Sequence, residues 1–362
     1  MNEPGYAFDP DYCYAPGDTL ADYLSDFNMS QAELARRTGL SVKHVNQIVQ
    51  GQASITASTA LLLERVTGIS ARVWSQLEAN FQVARGRDEE EERLKEDVAW
   101  LAAFPIGELK KRKYLTAGVT ETQQLRELLD FFQVASPIAW DQVWATPTAY
   151  RLSPSLEPNF AALATWIRIG ELQSKSTDPL PAFDRIRFQK LLPEIRELTC
   201  LTDGPEAVSL LIERCRSVGV AVVVEREIKG ARINGAVRWL PSGNPLIILS
   251  MRHRWADIFW FTFFHEAGHT ILHDRKKPTF IDAPIAGNRT SVLEIEADDF
   301  ASATLLPKEL EHLLADACDA ESISQVAQQV GVHTGIIVGR MQHDGLIRFS
   351  QFNDLRVRFQ PV

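Results

Sequence analysis

The stretch FFHEAGHTILHD, residues 263–274, most narrows what this chain can fold into. It carries His265, His269 and His273 at intervals of four, with Glu266 directly after the first. A helix over about 257–273 turns by roughly 100° per residue, which places all four side chains on one side. Trp260, Phe263, Phe264, Ala267 and Ile271 fall on the other and are apolar enough to bury it. Buried imidazoles and a buried carboxylate without partners are costly, so burial requires a metal or a tight hydrogen-bond network. His265 and His269 stand one turn apart, a spacing that lets both ligate one tetrahedral Zn2+. Glu266 beside them reaches a water rather than the metal. This HExxH arrangement supplies two ligands and a general base: the metal activates the water and the carboxylate takes its proton.

HExxH fixes only three of its five positions, so the reading needs a third ligand downstream. The segment SVLEIEADDFASATLLP, 291–307, reads as a helix with Leu293, Ala297, Phe300 and Thr304 along its inner stripe. Glu296 lies at one edge of that stripe and Glu294 near the opposite edge, while Asp298 and Asp299 point further outward. Spacing favours Glu296 only slightly. Two imidazoles and a carboxylate suit zinc, although manganese or iron also accept such a set. A metzincin pattern is disfavoured, because it needs Gly and His where the chain has Leu272 and Arg275.

The rest of the chain frames this site. At 362 residues it is long enough for two or three domains, and 45% hydrophobic with 23% charged residues suits real cores. A charged run over 84–100 reads as an exposed connecting helix. It separates a helical segment, 1–83, from a helical middle region, 101–200, and a C-terminal domain, 201–362. In the last, GVAVVVERE, GAVRWL and PLIILSM read as three short strands of a small antiparallel sheet. The expected fold class is therefore α+β, predominantly helical. Four scattered cysteines without CxxC spacing argue against a disulfide framework or a thiolate zinc site and suit a reducing interior. No signal-like or membrane-spanning stretch stands out, so the expected location is cytoplasmic, with no membrane partner.

Net charge of −9 argues against broad electrostatic coating of nucleic acid, but a local reading surface remains compatible with it. Between Ser30 and Gln52, Arg36, Arg37 and Lys43 face Glu33 alone. Ser30 and Glu33 form a capping box that opens one helix, Gly39 ends it, and Ser41 caps a second. Two short helices joined by a Gly turn make a helix-turn-helix, whose second helix enters the major groove. Its outward residues are Val42, Lys43, His44, Asn46 and Gln47, with Ser41 at its start. These side chains suit adenine, guanine, phosphate and thymine-methyl contacts. Gln31 stands at the first helix N-terminus, ready for a phosphate. Purely structural helix pairs of this kind are common; the local positive balance favours DNA.

The segment over about 16–85 resembles the Cro/repressor-type (XRE) helix-turn-helix family. Its continuation, with Trp74 and Leu77–Phe81 closing the bundle, looks like HigA-type antitoxins. HEAGHTILH followed by EIEADDFASATLLP resembles the ImmA/IrrE family of zinc metallopeptidases, as do the strands before it. That resemblance covers about 205–345 and implies that Glu296 is the third zinc ligand, with Glu266 the catalytic base and His273 an outer support. Asp298 stands where the family commonly has Asn. Together the two resemblances imply a DNA-binding regulator carrying a zinc endopeptidase whose substrate is a repressor or antitoxin-like protein. Double-stranded operator DNA is the other expected partner, with homodimerisation through the head. A HigA-like antitoxin or autorepressor whose zinc site is structural or sensory and not proteolytic is the alternative; a structural site has no use for Glu266. A second helix-turn-helix echo at 322–347 reads as a packed bundle, because Gly335 and Gly339 weaken its second helix. His253 and Arg254 read as strand-end surface residues.

Overall fold

The computed structural model describes residues 14–144, 159–175, 179–252, 254–273, 279–282 and 292–359. His253 lies outside them. The chain divides into two compact units, Met1–Val98 and Ala99–Val362. Residues 101–200 thus share a unit with the sheet instead of standing apart.

The first unit is all-helical: α1 (Pro16–Asp26), α2 (Gln31–Thr38), α3 (Val42–Val49), α4 (Ala57–Thr67) and α5 (Ala71–Asp97). Local chemistry sets each boundary. Ser30, Ser41, Thr56 and Ser70 accept hydrogen bonds from backbone N–H groups of the helices they open. Gly39 (φ 76°) and Gly68 (φ 74°) close α2 and α4 in the left-handed conformation that glycine adopts without steric cost. The reciprocal half of the expected capping box is replaced: the Glu33 carboxylate accepts from Arg36 and Arg37. Leu20, Leu34, Val45, Ile48, Leu63 and Trp74 build the core. The charged run over 84–97 is the second half of α5, so linker and head are one continuous helix.

The second unit holds α6 (Ile106–Lys111), α7 (Glu121–Phe132), α8 (Pro137–Trp144), α9 (Phe160–Ser174), α10 (Arg185–Glu197) and α11 (Gly204–Ser217). They are followed by β1 (Ala221–Glu225), β2 (Gly235–Trp239), β3 (Pro245–Ser250), α12 (Ala256–Leu272), β4 (Thr279–Asp282) and α13 (Val292–Leu305). Last come α14 (Ala320–Val330) and α15 (Thr334–His343). The strand order is β1-β3-β2-β4. The sheet is mixed, not antiparallel: β1 runs parallel to β3, while β2 is antiparallel to both β3 and β4. Strands β2 and β3 are joined as a hairpin that turns at Gly243 (φ 83°). The chain between β1 and β2 lets β3 slot in beside β1, a pairing that no local pattern encodes.

Side chains alternate across β3, so its two faces meet different helices. Ile248 faces α9, where Gly170 leaves room for it: a Cβ there would lie 2.5 Å from Ile248 Cδ1. Ile247 and Leu249 join the core built around Phe259, Trp260, Phe263 and Phe264 of α12. Helix α12 is thereby held in a layered core. The α14–α15 pair reproduces a helix-turn-helix turn at Gly331 (φ 76°), yet Gly335, Ile336, Ile337, Val338 and Met341 are buried. A Cβ on Gly339 would lie 2.5 Å from Asp257 Oδ2, so α15 packs directly on α12. It is a packed bundle, as its glycines suggested.

Candidate metal centre

Helix α12 is buried on nearly every side, His265, Glu266 and His269 included. The i, i+4 spacing brings the Nε2 atoms of His265 and His269 to 3.0 Å from each other. A third group converges on them: Glu294 Oε2 lies 3.3 Å from His265 Nε2, and Oε1 lies 3.6 Å from His269 Nε2. Ligand atoms of His265, His269 and Glu294 all fall within 4.8 Å of one another.

The carboxylate in this position is Glu294, whereas the resemblance had implied Glu296. Helix phase gives the reason. The buried stripe of α13 is Ala297, Ala301 and Leu305. At about 100° per residue, Glu294 projects into the middle of that stripe, Asp298 at its margin, and Glu296 roughly 150° away. The stripe expected from Leu293, Phe300 and Thr304 is rotated from the observed one, because α13 approaches α12 through small residues. A Cβ on Gly268 would lie 3.3 Å from the Ala297 Cα, so the two helices touch almost backbone to backbone there. Glu296 is half exposed and its Oε2 lies 3.1 Å from His273 Nε2. His273 itself is the C-cap of α12, one residue beyond the helix.

Each imidazole is gripped from behind. His265 Nδ1 lies 2.9 Å from Asp298 Oδ1, and His269 Nδ1 lies 2.9 Å from His273 Nδ1. Both rings therefore present Nε2 to the convergence point, the usual arrangement for zinc-binding histidines whose second nitrogen is engaged. Electrostatics point the same way. Burial pulls His269 down to about 4, leaving its ring neutral at neutral pH. Burial pushes Glu294 up, but hydrogen bonds from His265 and His269 outweigh it and bring the carboxyl to about 2. A neutral His269 ring beside an ionised Glu294 carboxylate is the state a divalent ion requires. The donor set fits a tetrahedral zinc with one open position.

Glu266 is fully buried beside this set. Strand β2 confines it: a Cβ on Gly235 would lie 2.7 Å from Glu266 Oε1 and 2.6 Å from Thr262 Cγ2. Any side chain at 235 would displace the carboxylate. This glycine had no signal in the sequence, since its meaning depends on a strand packed against a helix.

In the first unit, Val42 is 51% exposed, and Ser41 and Lys43 are also exposed, on the outer side of α3. His44, Asn46 and Gln47 are half-buried. Asn46 Nδ2 donates to Gln31 Oε1 at 3.2 Å, tying the start of α2 to α3.

Residues 22–74 match a helix-turn-helix family model, and residues 218–342 match a peptidase-family model described as an IrrE N-terminal-like domain. The chain joins an XRE-type helix-turn-helix to an ImmA/IrrE-like domain. All of the HExxH helix and α13 fall within the IrrE-like match. Among curated proteins, the XRE-type head is similar to virulence-associated protein I of Dichelobacter nodosus, at 35% identity over 69 residues. That alignment covers 19% of this chain and 64% of that protein, less than two thirds of its length. The head is also 29% identical over 69 residues to the uncharacterized HTH-type transcriptional regulator YddM of Escherichia coli, covering 19% of this chain and 73% of that one. Among solved structures it is similar to the Pseudomonas aeruginosa antitoxin HigA with the higBA promoter: 30% identity, TM-score 0.22, 24% of this chain and 94% of that chain. Among the described residues, no helix is long and apolar enough to cross a membrane.

Proposed function

We propose that this protein is a DNA-binding regulator whose IrrE-like domain is a zinc-dependent endopeptidase, acting on a regulatory protein of the repressor or antitoxin type. The observation that carries the peptidase reading is the convergence of His265, His269 and Glu294 next to a fully buried Glu266. His265, His269 and Glu294 would hold the ion. A zinc held there supplies a Lewis acid for peptide hydrolysis. Glu266 takes the proton of the attacking water and passes it to the leaving amine, a general-base then general-acid role. Its burial and the wall at Gly235 keep the carboxylate aimed and shielded from solvent. A site that merely stiffened the fold would have no use for an acid in that position, which weighs against the autorepressor with a structural zinc.

The exposed outer edge of α3, with Ser41, Val42 and Lys43, supports operator binding by the head. His44, Asn46 and Gln47 lie next to it, and Gln31 braces the helix pair. Two copies on two half-sites would give a palindromic footprint.

Incubating zinc-loaded protein with candidate repressors should give a specific cut. Glu266→Gln should retain zinc and lose at least ~100-fold in rate, the range typical of removing a general base. Equal cutting by both proteins would sink the peptidase reading. In footprints upstream of its own gene, Lys43→Ala should weaken protection at every site; absence of any wild-type protection would remove the operator reading.

A further inference from the structure

Glu296 and His273 form a line of hydrogen-bonding groups that ends on one of the two imidazoles of the metal set. His269 Nδ1 lies 2.9 Å from His273 Nδ1, and His273 Nε2 lies 3.1 Å from Glu296 Oε2. The side chain of His273 is 3% exposed and that of Glu296 is 50% exposed, so the line runs from the buried centre to solvent.

Proton inventory gives this line one direction. A histidine that ligates through Nε2 offers that lone pair to the ion and carries its hydrogen on Nδ1. His269 Nδ1–H then donates, so His273 Nδ1 accepts. The hydrogen of neutral His273 is left on Nε2, from which it donates to the Glu296 carboxylate. Each hydrogen is assigned once the first is, and the anion at the outer end polarises both rings toward the centre. His265 has a direct carboxylate, Asp298. His269 Nδ1 meets His273 in the equivalent place, the residue at which the chain leaves the helix, and His273 in turn meets Glu296.

We propose that Glu296 and His273 are positioning residues that fix the tautomer and ring orientation of His269 and so set how tightly the site holds zinc. This rests on the metal-site reading above. It divides labour between two carboxylates on α13: Glu294 turns inward to the ion, and Glu296 turns outward to orient a ligand.

The test uses the full chain and zinc alone, with affinity measured by competition against a chromophoric chelator. Visible absorption of the cobalt-substituted protein is the second readout. His273→Phe should weaken zinc binding by roughly 10–100-fold, and Glu296→Ala by about 10-fold, in the range for outer partners of metal ligands. Both should shift the cobalt bands. Glu296→Gln keeps an acceptor for His273 Nε2–H and should restore most of the affinity. Glu296 is exposed enough for its replacement to leave the fold intact, as circular dichroism would verify should His273→Phe fail to fold. Wild-type zinc affinity and an unchanged cobalt spectrum in Glu296→Ala, alongside a Glu294→Ala protein that binds no zinc, would overturn the relay and leave the metal site standing. A wild-type chain that takes up no zinc would overturn both.

Discussion

Replacing Glu294 by Ala is expected to lower zinc affinity by more than about 100-fold, beyond the effect expected of an outer partner. Glu294 is the carboxylate that faces both Nε2 atoms, at 3.3 and 3.6 Å, and its ionised form is held by them. Removing it leaves the two imidazoles without the carboxylate that completes the three-ligand set. Fold stability should change little, since the side chain keeps about a fifth of its surface exposed. Metal content after dialysis, with chelator competition on the loaded protein, reads the outcome directly. Near-normal zinc in Glu294→Ala together with metal-free Glu296→Ala would reverse the assignment of the two glutamates.

Arg356→Ala is expected to destabilise the second unit by about 3–5 kcal/mol, the cost of breaking a buried ion pair by removing one partner. Arg356 donates to both Asp257 oxygens, from Nε at 3.1 Å and Nη2 at 2.7 Å, and both side chains are nearly buried. Its guanidinium lies 4.3 Å from the centroid of Trp255, and it also donates to Gln342 and Asn353. Burial already pushes the Asp257 carboxyl up, against the pull of Arg356. Without the arginine, a buried carboxylate is left in the first turn of α12, tight against Gly339. The same tail is stitched to α12 through Ala256 N–H donating to Val357 O and Phe359 N–H donating to Arg254 O. A lower urea midpoint for the second unit is the expected readout. Arg356→Met paired with Asp257→Asn should recover part of it, because no lone charge is then buried. An unchanged midpoint in Arg356→Ala would show that the pair does not anchor the helix.

Several features were legible because they depend on neighbours along the chain. The Ser and Thr caps and glycine stops of the head are local hydrogen-bond and backbone preferences, and the boundaries of α2–α4 follow them. The direction of pairing between β1 and β3 was not, since a run of Val and Ile reads the same in either direction. The choice between Glu294 and Glu296 hung on helix phase. Leu293 and Phe300 are the larger apolar residues, which suggested a stripe through them. The observed stripe follows Ala297 and Ala301, where small side chains let α13 close on Gly268.

The amino-acid sequence by itself determined that two imidazoles one helical turn apart share a face with an adjacent carboxylate, because helical periodicity is a property of the backbone. It equally determined the turn of the head, through Ser30, Gly39 and Ser41. Tertiary structure alone decided which carboxylate of α13 meets those imidazoles, that His273 and Asp298 grip them from behind, and that Gly235 walls in Glu266. Each of these depends on how closely two elements distant in sequence approach. That distance is set by packing across the whole core, which no local pattern records.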